Sequence, residues 1–119
     1  CLGIGVNGHI AFNDPPADFS DPSAVKVVEL SPESRRQQVD DGCFAALEDV
    51  PRQAITLTVP RLLAVDKMFC MVPGEEKRAA LTATLYGPIG PLVPATALRT
   101  HPNCTIYLDA GSAPTPAFG

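Results

Sequence analysis

Residues 3–15 read Gly3-Ile4-Gly5-Val6-Asn7-Gly8-His9-Ile10-Ala11-Phe12-Asn13-Asp14-Pro15, and this stretch decides the fold and the place of the chemistry. The apolar residues from Cys1 to Ile4 predict the end of a buried strand, and Gly5 and Gly8 follow it. Glycine lets a backbone turn sharply and approach a ligand closely. Histidine exchanges protons near neutral pH. His9 therefore supplies an acid–base group beyond the carboxyl end of a strand, where open α/β sheets bind ligands.

The same residues resemble the signature of the glucosamine-6-phosphate deaminases (isomerases), Gly-x-Gly-x-x-Gly-His-Ile-Ala-Phe-Asn-x-Pro. The three glycines alone recur in unrelated dinucleotide sites, but the continuation from His9 to Asn13 is much more specific. The related phosphogluconolactonases share the Gly-His turn and typically follow it with Thr-Ala-Ser. The resemblance runs from residue 1 to about residue 112 and matches the second half of the family's catalytic domain. It implies a C-terminal portion of one domain whose N-terminal strands lie outside this chain.

The pattern along the chain predicts strands that alternate with helices, which is typical of βαβ units and a mainly parallel sheet. With the resemblance, we expect an α/β, three-layer αβα Rossmann-like fold, incomplete at its N-terminal side. We expect the tail from Ala110 to Gly119 to fray. The predicted strands are Val25–Leu30, Lys67–Val72 and Cys104–Leu108, and Ala54–Leu57 is a short strand or an extended piece. The predicted helices run from a Ser31 cap to about Phe44, after a Thr58 cap, over Glu75–Tyr86, and as a turn at Pro94–Leu98.

Composition narrows the class of partner. The chain has 119 residues, enough for one domain, and 45% of them are hydrophobic. The net charge of −4 and the lack of a Lys/Arg run argue against nucleic acid. No apolar run reaches the roughly 18 residues of a membrane helix. Four cysteines without Cys-x-x-Cys spacing predict free thiols in a reducing cytoplasm. No metal-ligand spacing appears, so we expect no metal. The reaction that the resemblance implies needs no organic cofactor, and a homo-oligomer remains open.

Three residues of the motif are candidates for acid–base chemistry. In the family, the histidine at the position of His9 opens the sugar ring by moving a proton, which needs a pKa near working pH. Asp14 is the nearest carboxylate and could orient His9 or raise its pKa, or could instead cap a turn. The family usually has Glu there and Asp at the position of Asn7. Asn7 cannot ionise, yet it can hold His9 by a hydrogen bond.

Substrate binding is expected at Gly5, Gly8 and Lys77. Lys77 follows a strand in the first turn of a predicted helix, where backbone N–H groups favour an anion. It matches a family Gly-x-x-Lys phosphate contact, although alone it would be a solvated lysine. The family's phosphate-binding arginine has no aligned counterpart here, and Arg36 and Arg61 remain unassigned alternatives.

These residues support a leading reading and two alternatives. The resemblance implies a sugar-phosphate isomerase-deaminase that converts glucosamine 6-phosphate to fructose 6-phosphate and ammonia without a cofactor. In the family, the carboxylate that moves the proton between C2 and C1 lies in the N-terminal half, so we expect the 119 residues alone to be inactive. The alternatives are a phosphogluconolactone hydrolase, which Ile10-Ala11-Phe12-Asn13 disfavours, and a non-catalytic sugar-phosphate sensor, which Asn7 favours.

Overall fold

The computed structural model describes residues 1–114, and four strands and three α-helices follow one another in the mixed order of an α/β protein. Short 3₁₀ turns at Leu47–Asp49 and Glu75–Lys77, and a longer one at Pro94–Thr100, lie between them. The regular elements are β1 (Val25–Glu29), α1 (Pro32–Asp40), β2 (Gln53–Leu57), α2 (Val59–Leu63), β3 (Met68–Val72), α3 (Arg78–Tyr86) and β4 (Cys104–Leu108).

A parallel sheet positions the motif. β3 pairs with β4 in parallel, with Met68 opposite Cys104. Leu2 forms a parallel bridge to Cys70 of β3, and the N–H of Leu2 donates a hydrogen bond to the carbonyl of Phe69 at 2.9 Å. The predicted strand end at Cys1–Ile4 is therefore present as a short parallel segment beside β3, and the expected parallel sheet is confirmed.

One face of this sheet carries the core. Met68, Cys70 and Val72 alternate inward along β3, and Phe69 and Met71 face outward. The inward residues pack with apolar side chains from the motif, the helices and the 3₁₀ segment. These are Ile4, Ile10, Val59, Leu81, Ala95, Ala97 and Leu98. Burial on this scale is the main favourable term in folding, and it fixes the motif segment against β3.

The sequence predicts a mainly parallel sheet, and β1 and β2 are the strands that depart from parallel pairing. These two strands pair antiparallel, with Val25 opposite Leu57 and Val27 opposite Ile55. Their exposed residues alternate with half-buried or buried ones, so one face of the pair meets solvent. A sheet with one solvated face is typical of antiparallel pairs, whereas parallel strands are usually covered on both faces.

The predicted helix starts are correct at two caps, but one helix end is wrong. Ser31 and Thr58 cap α1 and α2 through their side-chain oxygens, as the sequence indicates. α1 ends at Asp40 rather than near Phe44, because Gly42 has a left-handed φ of +79°. The N–H of Gly42 bonds to the carbonyl of Val39 and the next N–H to that of Gln38, which closes the helix in a Schellman motif.

Two further segments differ in detail from expectation. The helix expected from Glu75 begins as a 3₁₀ turn and becomes α3 only at Arg78. The expected fraying of the tail falls partly on residues 115–119, outside the described residues. Among those described, Ser112 is buried and its N–H bonds to the Asp109 carboxylate at 2.8 Å. Fraying stays a prediction.

Candidate active site

The candidate site lies at the carboxyl ends of the parallel segments. The first segment runs into Gly5, and β3 runs into Gly74 and the turn that carries Lys77. Lys77 reaches back to the first segment, because its Nζ donates to the carbonyl of Ile4 at 2.6 Å. The fold thus brings the two separated parts of the predicted site to one edge of the sheet.

A closed turn presents His9. The N–H of Gly5 bonds to the carbonyl of His9 at 2.8 Å, and the N–H of Gly8 bonds to that of Gly5 at 2.9 Å. Gly8 has a φ of +84°, which suits glycine. A Cβ on Gly5 would lie 2.0 Å from Cε1 of His9, so the imidazole rests directly on the Gly5 backbone. The glycine at position 5 leaves the space that the His9 ring occupies.

Asn7 fixes the Nδ1 side of His9. Its Oδ1 accepts the backbone N–H of His9 at 3.1 Å and lies 2.7 Å from Nδ1 of the ring. Its Nδ2 donates to Oδ1 of Asp14 at 3.1 Å. One backbone donor and one carboxylate acceptor therefore determine which end of the amide faces which partner.

The side chain of Asp14, which belongs to the motif loop, packs against the N-terminus of α1. Its Oδ2 accepts the N–H of Ser31 at 2.9 Å, and its Oδ1 accepts the hydroxyl of Ser34. Oδ1 lies 3.4 Å from Nδ1 of His9. Burial pushes the pKa of Asp14 upward, but hydrogen bonds from Ser34, Ser31 and Asn7 outweigh it and lower that pKa. Asp14 is therefore an anion at neutral pH.

His9 is buried, and its two ring nitrogens differ in their partners. Burial lowers its pKa from 6.5; Asp14 and Asp41 oppose this effect and Lys77 adds to it. At neutral pH the imidazole is accordingly neutral. Its Nδ1 is held by Asn7 and Ser34. Within residues 1–114 no protein group bonds to Nε2, so this nitrogen is the one available to a ligand.

Lys77 supplies the positive charge of the site. One of its three ammonium protons goes to the Ile4 carbonyl, which leaves two for another acceptor. Burial lowers the pKa of Lys77, while Asp41 and Glu76 act against this change. An anionic ligand would add to that opposing effect and favour the charged amine.

Ser34 is the residue of this cluster that sequence reasoning missed. It is 2% exposed, and its Oγ lies 3.0 Å from Nδ1 of His9. The sequence feature that could have identified Ser34 is its position three residues after the Ser31 cap, in the first turn of α1. There a serine side chain points to the same helix end as the cap, which faces the motif loop.

The remaining polar candidates have different surroundings. Arg36 is exposed on α1 and lines a cleft with Val6 of the motif loop. Arg61 lines a cleft with Lys67 and Met68 at the amino end of β3, opposite the candidate site. His101 has its Nε2 2.7 Å from the carbonyl of Val65, a contact that holds the loop before β4.

Comparison with known proteins decides the family. Glucosamine-6-phosphate deaminases of Staphylococcus aureus strains JH9 and Newman are 40% identical to this chain over 113 residues, 95% of its length. The chain is a relative of the glucosamine-6-phosphate deaminases. It spans 43% of the length of these curated relatives. No family model matches the sequence.

Solved structures support both the relationship and the fold. A monomeric glucosamine-6-phosphate deaminase, described as a missing link of the NagB superfamily, matches with a TM-score of 0.86 and 32% identity, over 93% of this chain and 44% of that one. The 6-phosphogluconolactonase from Trypanosoma cruzi matches with a TM-score of 0.64 and 21% identity, over 93% and 38%. This second likeness shows the fold alone. The expected Rossmann-like α/β class is thus confirmed for this deaminase relative.

Residues 1–114 contain neither a membrane-spanning helix nor a metal-binding cluster. No helix within residues 1–114 is both long enough and apolar enough to cross a membrane. No group of three or more His, Cys, Asp or Glu side chains in that range is arranged to hold a metal ion.

Proposed function

We propose that the complete protein is a sugar-phosphate isomerase-deaminase that converts glucosamine 6-phosphate to fructose 6-phosphate and ammonia. The observation that carries the proposal is the pairing of His9, which lies at the sheet edge that also carries Lys77: its Nδ1 is held by protein groups, and within residues 1–114 no group bonds to its Nε2. The curated deaminases similar to this chain support the choice of substrate.

His9 performs the first chemical step, the opening of the sugar ring. Neutral His9 takes the proton of the anomeric hydroxyl at Nε2. The bond between C1 and the ring oxygen breaks, the aldehyde forms, and the same nitrogen returns the proton to the former ring oxygen. A single group can carry this proton because the pKa of His9 lies below 6.5 and its neutral form is available at neutral pH.

Asn7 and Asp14 support His9 during this transfer. When Nε2 accepts a proton, the imidazole becomes positive, and the Asp14 carboxylate 3.4 Å from Nδ1 stabilises that charge. Asn7 keeps the ring in place through its contact with Nδ1 at 2.7 Å. The Asp in place of the family's Glu thus lies close enough for its charge to act on the ring despite its shorter side chain.

Lys77 and the glycine turn bind the substrate in this proposal. Lys77 holds the phosphate as a point charge, and the backbone at Gly5 and Gly8 lets the sugar approach His9. We assign no residue of this chain to the later proton transfer between C2 and C1.

The decisive experiment measures ammonia release from glucosamine 6-phosphate by the complete protein. We expect His9→Gln to lower turnover by about 10²–10⁴-fold, the usual scale for a lost general acid–base group. His101→Gln is the matched control, because His101 lies at the amino end of β4 and contacts Val65 and Asn103. Unchanged turnover in His9→Gln would exclude the ring-opening role.

The Lys77 contact is tested by affinity rather than turnover. Lys77→Ala should weaken binding of the sugar phosphate by about 1.5–3 kcal/mol, the scale for a hydrogen bond to a charged group. Lys67→Ala removes an exposed lysine at the other end of β3 and should leave affinity unchanged. Equal affinities in both variants would remove Lys77 from the site.

A sugar-phosphate sensor is the second candidate, and Asn7 is the observation that favours it. A neutral amide stands 2.7 Å from Nδ1, where the family usually has a carboxylate. Binding of hexosamine phosphate without ammonia release would establish the sensor. Hydrolysis of 6-phosphogluconolactone by the same preparation would instead indicate a lactonase.

A further inference from the structure

We infer that Ser34 is a positioning residue that joins Asp14 to His9 and holds the ring proton of His9 on Nδ1. The catalytic consequence of this inference rests on the proposed function, but the hydrogen-bond assignment does not. Ser34 comes from α1, outside the glycine-rich motif, and the fold buries its side chain between the other two residues.

The distances show why a mediator is needed. Nδ1 of His9 and Oδ1 of Asp14 are 3.4 Å apart, which is long for a charge-assisted hydrogen bond. Oγ of Ser34 lies 3.0 Å from Nδ1 and also contacts Oδ1 of Asp14 at hydrogen-bond distance. The hydroxyl therefore connects a carboxylate that is one methylene shorter than the family's Glu to the imidazole.

The direction of each hydrogen bond follows from the donors available. The backbone N–H of His9 can only donate, so the atom of Asn7 that faces it is the amide oxygen. That oxygen also faces Nδ1, and an amide oxygen can only accept. Nδ1 must therefore carry a proton whenever the contact at 2.7 Å is a hydrogen bond.

The single proton of Ser34 supports the same assignment. Asp14 is ionised and can only accept, so the Ser34 hydroxyl donates its proton to Oδ1. Its oxygen is then free to accept from Nδ1 of His9. Asn7 and Ser34 thus share the Nδ1 proton, and the lone pair of neutral His9 lies on Nε2, the nitrogen to which no group within residues 1–114 bonds.

The charged groups around His9 fit this arrangement. Asp14 and Asp41 favour the imidazolium, and Lys77 disfavours it. Ser34 adds no charge; it keeps Nδ1 paired and Asp14 oriented before and after Nε2 accepts a proton. Its loss should therefore change the tautomer and the pH profile more than the affinity for the sugar phosphate.

The test is ¹⁵N NMR of the histidine rings in the complete protein, without substrate. In the wild type above the pKa of His9, we expect the Nδ1–H tautomer. Ser34→Ala should increase the Nε2–H tautomer, because Nδ1 loses one acceptor and Asp14 loses a donor. Ser34→Thr keeps the hydroxyl and should restore the wild-type signal. Ser20→Ala, an exposed loop serine, is the matched control.

The catalytic arm measures kcat and KM against pH. Ser34→Ala should lower kcat about tenfold, the scale of one net hydrogen bond, with a shifted acid limb and little change in KM. If Ser34→Ala is folded and leaves both the tautomer and the pH profile unchanged, the inference is overturned, whatever Ser34→Thr does. If the tautomer changes but the wild type releases no ammonia, the assignment stands and the proposed function fails.

Discussion

At the scale of single residues, Asn7 controls how the charges of the site are arranged. Its side-chain amide accepts a hydrogen bond from His9 with Oδ1 and donates one to Asp14 with Nδ2. A carboxylate could not make both bonds, because it has no donor. An aspartate at position 7 would stand about 3 Å from a second carboxylate, and like charges at that distance resist joint ionisation. Asn7 and Asp14 are therefore matched to one another.

Asn7→Asp tests this matching. The added carboxylate faces Nδ1 of His9, so we expect the pKa of His9 to rise. We also expect one of the two neighbouring carboxyl groups to retain its proton to higher pH, because their titrations become coupled. NMR titration of His9 and of the two carboxyl carbons measures both effects. Asn103→Asp adds the same charge near His101 instead, and should leave His9 unchanged.

The outcome for activity separates two accounts of Asn7. If Asn7→Asp raises turnover, the family's charged arrangement works in this chain and Asn7 weakens it. If it lowers turnover while the pKa of His9 rises, the repulsion between positions 7 and 14 dominates. A His9 pKa that does not move would contradict the contact at 2.7 Å.

The residues of the motif were predictable because they are contiguous. His9, Asn7 and Asp14 lie within one turn and loop, so their proximity follows from the sequence alone. Ser34 was not, because it lies 25 positions after His9 and meets it only when α1 packs its N-terminus against the loop. Lys77 was predictable from its place after a buried strand, but its contact with the Ile4 carbonyl depends on the parallel pairing.

At the scale of elements, the starts of helices were easier to predict than their ends. Ser31 and Thr58 indicate the starts of α1 and α2, since a serine or threonine oxygen accepts a hydrogen bond from a free N–H group of the first turn. Gly42 was also a signal, as a glycine that ends a helix in the left-handed region, and it was overlooked. The relative direction of β1 and β2 was harder to predict, because a connection through α1 allows the two strands to pair either parallel or antiparallel.

Gly42→Ala isolates the energetics of that helix end. A Cβ at Gly42 would meet nothing within 4 Å, so only the φ of +79° opposes a side chain. We expect a loss of about 1 kcal/mol in the free energy of unfolding, and a smaller loss for Gly42→Asn, because asparagine tolerates the left-handed region. Urea unfolding of the complete protein measures both, and Gly90→Ala is the control, with equally open space and no left-handed φ.

Equal stability of Gly42→Ala and Gly42→Asn would argue against the backbone explanation. The position also matters for the site, because α1 carries Ser34 at one end and this glycine at the other. The variant should leave the His9 tautomer unchanged, since the first turn of α1 is fixed separately by Ser31 and Asp14.

At the scale of the whole molecule, apolar surface is distributed unevenly. One face of the β1–β2 pair exposes Val25, Val27, Ile55 and Leu57, and the last two strands expose a stacked pair, Phe69 and Tyr107. The opposite face of β3 is fully packed in the core. Contiguous exposed apolar faces of this kind mark interaction surfaces or association hazards.

The 119-residue chain on its own should therefore self-associate through the β1–β2 face. Val27 and Ile55 stand opposite each other at its centre and are 62% and 70% exposed. Val27→Thr combined with Ile55→Thr keeps the β-branched shape that strands favour and removes apolar area, so the sedimentation-derived mass should fall toward the monomer. Leu92→Thr, at a 76% exposed loop position, should not change it. A wild-type chain that stays monomeric and unfolds in one sharp transition would contradict the predicted self-association through the β1–β2 face.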